Sequence, residues 1–328
     1  MKYRKRKRML FASFLLICVG LAGCGGNPSQ GAGKTGTMDE GSMKAEAGST
    51  FTDDLGREVT VKSHEKVAVM LGSFADIWML AGGSVAAATK DAWDSQELDL
   101  GEEAVNLGSF LNPDLEKLIA AAPDLVIASA GTKADLEMED MLKQAGITVA
   151  YFDVSDFKDY LRMLKICTDL TGREDLYEKY GTTVETQIGD VLKRVDGRAP
   201  RILFLRASSG TVKAKGSKDT VGGEMLAALG CINIADSGNG LLEDLSLEAI
   251  IAEDPEYIFV TTQGSDTEAA MQAVEELLTS NPAWSALSAV KNGKYHVLDK
   301  RLYNSKPNAR WGEAYEILAD ILYPKSGQ

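Results

Sequence analysis

Five basic side chains in the second half of the chain, Arg206, Lys213, Lys215, Lys306 and Arg310, are conspicuous because the whole is acidic. There are 35 basic against 48 acidic residues in 328, a formal net charge of −13. Cationic groups gathered at one cleft complement anionic oxygens, and Arg is best suited to carboxylate or catecholate pairs. Phe74, Trp93, Phe110 and Tyr303 offer aromatic surface of the kind that walls a flat or bulky ligand. Ser73, Ser129 and Gln263 add neutral polar groups. Ordinary structural readings stand beside these. Lys213 and Lys215 alternate along a hairpin and can simply face solvent. Arg310 can pair with Glu313 one turn on. Trp93, in the polar stretch 90–98, can fold over its own lobe.

Catalytic constellations are missing. The chain has no G-x-S-x-G elbow, no H-E-x-x-H and no Cys–His pair in a cleft loop. His64 and His296 are too few for a zinc or manganese site, and both read as structural. Gly33-Lys34-Thr35 looks like the tail of a phosphate loop, but the pattern needs glycine where Pro28 stands. The chain therefore reads as a non-enzyme without a permanently bound cofactor.

The candidate residues fall at the ends of strands in an alternating α/β pattern. Apolar runs at 67–71, 85–89, 125–129 and 147–152 read as buried strands, with helices at 73–81, 113–121 and 133–144 between them. From 156 the pattern is helix only: 156–170, a break at Thr171-Gly172, then a long helix over 174–195. Alternation resumes with strands at 201–205, 231–235, 257–261 and 295–298 and helices at 220–229, 246–253, 266–279 and 309–322. Residues 115–126 and 247–258 match at an offset of 132, five of twelve positions being identical. The expected architecture is two Rossmann-like lobes with parallel sheets, joined by one long α-helix, with a ligand cleft between them.

The front end is an address. Six basic residues between Lys2 and Arg8 precede an uncharged stretch, 9–23, too short to span a bilayer. It ends Leu21-Ala22-Gly23-Cys24, which resembles a bacterial lipobox with Cys24 as the lipidated residue. The expected organisation is a signal peptide over 1–23, Cys24 and a flexible linker to 50, an N-terminal lobe over 51–172, the interlobe helix over 173–197 and a C-terminal lobe over 198–328. Without the leader the balance is 29 basic against 48 acidic, a net of −19. Such a body disfavours nucleic acid and anionic lipid surfaces. Cys167 and Cys231 lie in apolar runs and read as buried free thiols.

The segment 51–60 (Phe-Thr-Asp-Asp-Leu-Gly-Arg-Glu-Val-Thr), the repeated 115–127 unit and 289–295 together resemble the substrate-binding lipoproteins of ABC importers for iron–siderophore, haem and cobalamin. The likeness spans essentially all of 51–328. It implies a monomeric, exported protein, anchored by lipid to the outer face of the cytoplasmic membrane. It implies partners: an importer permease with its ATPase, and a small iron or cobalt chelate. One glutamate per lobe would dock on the permease, and the matching positions are Glu116 and Glu248. Each also suits the first turn of a helix on its own account. Asn112 or Ser246 is the expected N-cap. A ferric siderophore leads as ligand, with cobalamin or haem as alternatives. A surface sensor that does not import stands as the reading of a different class.

Overall fold

The computed structural model describes residues 48–218, 220–238 and 240–325. The expected signal peptide, Cys24 and nearly all of the linker lie outside the described residues. No helix among the described residues is long and apolar enough to cross a membrane.

The chain opens with an antiparallel hairpin, β1 (Ser49–Thr52) and β2 (Glu58–Val61). Its turn is set by Gly56 at φ 76° and by the buried carboxylate of Asp53, which accepts from the backbone N–H groups of Leu55, Arg57 and Tyr151. The Arg57 guanidinium closes on Asp53 and on Glu139 and lies over the Tyr151 ring, 4.5 Å from its centroid. The signature segment therefore pins the hairpin to the first lobe.

That lobe is a parallel sheet of β3 (Val67–Val69), β4 (Ala87–Ala88), β5 (Val105–Asn106), β6 (Leu125–Ser129) and β7 (Thr148–Phe152), in the order β5-β4-β3-β6-β7. β3 and β6 are buried throughout, as strands covered on both faces must be. The helices Gly72–Leu80 and Phe157–Thr171 cover one face; Leu118, Met138 and Leu142 pack on the other. The single helix expected over 133–144 is two, Lys133–Glu137 and Glu139–Gln144, broken at the buried Met138. β5 and a one-turn helix, Asp91–Asp94, were not expected; both are too short to carry a period.

The connector is helical from Glu174 to Leu192, with a π turn at Glu178–Thr182 between α segments Glu174–Tyr177 and Thr183–Leu192. It ends three residues before the expected 195. Gly181 sits in the π turn, where a Cβ would come within 3.2 Å of Leu161. The second lobe holds β8 (Arg201–Ser208), β9 (Thr211–Ala214), β10 (Ile232–Asn233), β11 (Tyr257–Thr262) and β12 (Tyr295–Leu298). Its path is β10-β8-β11-β12, parallel, with β9 antiparallel on the end of β8. The strand expected over 231–235 is two residues long and gives way to a 3-10 turn, Ile234–Ser237.

One apolar core runs through both lobes. It joins Val69 and Phe74 of the first lobe, Val184 and Ile188 of the connector, and Phe204, Trp311 and Leu318 of the second half. The helix Trp311–Leu322 packs along Thr183–Leu192, with Gly312 so close to Gln187 that a Cβ would meet its Oε1 at 2.4 Å. The segment before it returns to the first lobe. Asn308, buried and at φ 53°, donates from Nδ2 to Ser73 O at 2.8 Å and to Asp76 Oδ2 at 2.7 Å.

The internal repeat is structural as well as textual. Asp114 caps Leu115–Ala120 and Ser246 caps Leu247–Glu253, each accepting from the N–H three residues on. Asp114 therefore holds the position for which Asn112 was the candidate. Each helix leads to a left-handed residue, Ala122 at φ 47° and Asp254 at φ 40°, followed by proline and a buried strand. Cys167 is buried, Cys231 partly so, and both are free thiols.

Candidate functional site

Parallel α/β sheets present their strand ends, and the loops that leave them, to one edge, where ligands bind. In this protein the edges of the two lobes enclose a cavity of about 420 Å³. From the first lobe it is lined by Gly131, which follows β6, and by Asp153, Val154 and Ser155, which follow β7. From the second come Phe204 and Arg206 of β8, Thr261 of β11, Lys215 just beyond β9, and Thr220 and Val221 at the start of the Val221–Ala228 helix. Tyr303, Asn304 and Lys306 complete that wall.

Local geometry explains the placement. Phe204 and Arg206, two apart on one strand, point to the same face. The backbone N–H of Lys215 donates to Phe204 O at 2.9 Å, which brings its side chain beside Arg206. Gly222 lets the helix start approach: a Cβ there would meet the Phe204 ring at 2.5 Å and Tyr303 O at 3.1 Å.

The electrostatics are one-sided. Among the described residues, the charged ends of Arg206, Lys215 and Lys306 form no ion pair and no hydrogen bond. Burial lowers the pKa of all three. Arg206 and Lys213 add to the effect at Lys215, whereas Asp153 and Asp91 oppose it at Lys306. Lys306 Nζ stands over the Phe74 ring, 5.7 Å from its centroid. A wall of desolvated cations that close no ion pair among the described residues is arranged to receive an anion.

The sequence candidates separate into two sets. Arg206, Tyr303 and Lys306 line the cavity. The Tyr303 ring is buried and its hydroxyl donates to Ala314 O at 2.9 Å. Ser129 lies beneath the lining, its Oγ accepting from Gly131 N at 3.2 Å. Ser73 and Phe74 are buried at the start of the Gly72–Leu80 helix, Ser73 through its carbonyl with Asn308 and Phe74 in the core. Lys213 stands opposite Arg206 in the hairpin register but is exposed. Gln263 is exposed, and Phe110 is half-buried away from the lining. Trp93 is partly buried against the apolar core that runs through both lobes. Arg310 pairs with Glu313 through two hydrogen bonds of 2.6 and 2.7 Å. Glu116 and Glu248 are exposed in the first turns of the two repeated helices.

Asp153, Ser155, Phe204, Thr220 and Thr261 were not singled out from the sequence. Asp153 was accessible to the strand-end rule, since it directly follows the run 147–152. Phe204 and Thr261 lie within strands, where only the strand order tells that their ends face a cleft.

A family model described as periplasmic binding protein matches residues 67–302. YvrC of Bacillus subtilis, an uncharacterized ABC transporter substrate-binding lipoprotein, is 27% identical over 330 residues, covering 98% of each chain. The Fe(3+)-citrate-binding protein YfmC of the same bacterium is 26% identical and covers 91% of each. Among solved structures, SirA of Staphylococcus aureus complexed with staphyloferrin B superposes with a TM-score of 0.64 at 20% identity, covering 84% of this chain and 97% of that one. The catecholate-siderophore binding protein VctP from Vibrio cholerae gives 0.67 at 17% identity, covering 84% and 99%. At such identities the solved structures speak to the fold.

Proposed function

The chain belongs to the periplasmic binding protein family, and from that footing we propose that it captures an anionic iron chelate, a ferric siderophore, and delivers it to an ABC importer. It is a binding protein, not an enzyme. The observation that carries the ligand class is the cavity wall of Arg206, Lys215 and Lys306, desolvated and without ion pairs among the described residues. Relatives named for ferric citrate and petrobactin support iron over cobalt. Haem would call for an axial His, Tyr or Met, and the hydroxyl of Tyr303, the tyrosine in the lining, donates to Ala314 O.

The rest of the proposal follows the family. Export and lipidation at Cys24 would tether the protein outside the membrane, in keeping with relatives named as lipoproteins. Glu116 and Glu248 would meet the permease, one from each lobe, and its ATPase would drive release. Because the two lobes share one apolar core, capture needs only a small change in the angle between them.

Titration of the purified protein with ferric citrate, ferric catecholate and ferric hydroxamate chelates, haemin and cyanocobalamin tests the reading. Saturable binding of an anionic ferric chelate at sub-micromolar concentration is expected. Binding of haemin or cyanocobalamin alone, or of none of the five, would overturn it.

A further inference from the structure

The two walls of the cavity carry opposite charge, and the minority charge sits on a braced support. Of the first-lobe residues that line it, Gly131, Asp153, Val154 and Ser155, one is ionisable. The Ser155 hydroxyl is engaged, donating to Asp159 Oδ2 at 2.9 Å. The Asp153 carboxylate makes no hydrogen bond and no ion pair among the described residues. Its backbone, by contrast, is held from both sides. Asp153 N donates to Asp54 Oδ2 at 2.7 Å, and Asp153 O accepts from Arg162 Nη2 at 3.2 Å. Arg162 in turn grips Asp54 with two bonds of 2.8 Å. Asp54 is the second aspartate of the signature turn 53–56, so the opening hairpin of the chain fixes where Asp153 stands.

Opposite it is Lys306. The two feel each other's charge yet close no ion pair. A carboxylate in a cavity built for an anion repels any ligand whose surface is anionic all round. It favours one that turns an ammonium or another hydrogen-bond donor toward it.

We propose that Asp153 is the specificity residue of the first-lobe wall, selecting anionic ferric chelates that carry a protonated amine or comparable donor on the side facing that lobe. This rests on the iron-chelate reading given above and adds the polarity of the chelate. Arg206, Lys215 and Lys306 take the anionic oxygens of the ligand, and Asp153 takes its donor.

The test is a matched pair of ferric chelates, one with a free peripheral primary amine and one with that amine acetylated. Each is titrated, alongside ferric citrate, into the full-length protein and into Asp153→Asn. Asparagine keeps the size of the side chain and leaves both backbone bonds in place. The wild type is expected to prefer the free amine by about tenfold, as a charge-assisted hydrogen bond provides. In Asp153→Asn the preference should vanish, and ferric citrate should bind several-fold tighter. No preference in the wild type, or the same preference in the variant, would overturn the proposal. So would weaker ferric citrate binding by Asp153→Asn, which would mean that Asp153 only positions Lys306. If no ferric chelate binds the wild type, the iron-chelate reading fails and this proposal falls with it.

Discussion

Arg301 of the second lobe donates from Nη1 to Glu97 Oε2 of the first across 2.7 Å. The same guanidinium reaches Gln96 O at 3.4 Å. This is a direct ion pair between the lobes at an exposed position. Exposed pairs contribute about 0–1 kcal/mol, so it biases the spacing of the lobes without locking it. Glu97→Gln is expected to leave the melting temperature within a degree of wild type while raising the ligand dissociation rate by up to about fivefold. Stopped-flow chase of bound chelate measures this; an unchanged rate would remove the pair from any part in closure.

Arg206 is half-buried and makes no ion pair among the described residues. Its desolvation costs stability that a ligand would recover. Arg206→Ala should weaken binding of an anionic ferric chelate by about 10–100-fold, the loss of a charge-assisted hydrogen bond. The melting temperature of the unliganded protein should hold or rise. Calorimetric titration and thermal denaturation on one sample decide it, and a lower melting temperature together with intact affinity would make Arg206 a structural residue.

Much of this was legible from the residues, and the limits have physical causes. The repeat at 115–126 and 247–258 announced itself through five identities, Leu115, Glu116, Ile119, Ala120 and Pro123 with their counterparts, which fix the apolar face of a short helix and its proline stop. The caps and the left-handed residues, Asp114 and Ser246, Ala122 and Asp254, differ between the copies. The cations were visible because they depart from an acidic background. The aromatics divide: Tyr303 lines the cavity, whereas Phe74 and Trp93 pack into or against the shared core, since an apolar ring near a strand end gains more from core burial than from a wet cleft. Asp153 was reachable by its place after the run 147–152, but its type did not set it apart among 48 acidic residues. Its distinction is a position braced by Asp54 and Arg162, residues 99 and 9 away in sequence.

Asp135 offers a test on stability. Its carboxyl is buried, accepts from Ser129 N at 2.7 Å, and has its pKa pushed up to about 7 by desolvation, with the Asp91 charge adding and the Ser129 bond opposing. A folded-state pKa above the unfolded value of about 3.9 means that stability is greatest with the proton on and falls as pH rises toward 7. Asp135→Asn keeps the acceptor for Ser129 and removes the ionisation. Its melting temperature should match wild type near pH 4, pull ahead between pH 4 and 7, and stay several degrees higher above that. A gain independent of pH would show that Asp135 is not the group titrating.

For the permease contact, Glu116→Ala with Glu248→Ala is expected to abolish uptake of radiolabelled iron chelate by cells while leaving its affinity for the purified protein within twofold. Both side chains are exposed at helix starts, so neither change should disturb the fold. Unimpaired uptake in the double variant would sink the assignment.

The repeated unit carries more than its caps and turns. Three residues beyond Glu116 stands Ile119, 40% exposed; three beyond Glu248 stands Ile251, 38% exposed, at the same offset of 132. Each helix thus shows solvent the same acidic and apolar pair on one face. With Glu116 and Glu248 as the proposed docking residues, the molecule would be bivalent toward a receiver that duplicates its own receiving surface. Once one arm is seated, the other meets its target at the high effective concentration of a tethered group, and weak contacts multiply into a stable one. Damage to one arm would then be partly masked by the other, and engagement would be sensitive to the angle between the lobes, because both arms reach their targets together only at the spacing the shared core permits.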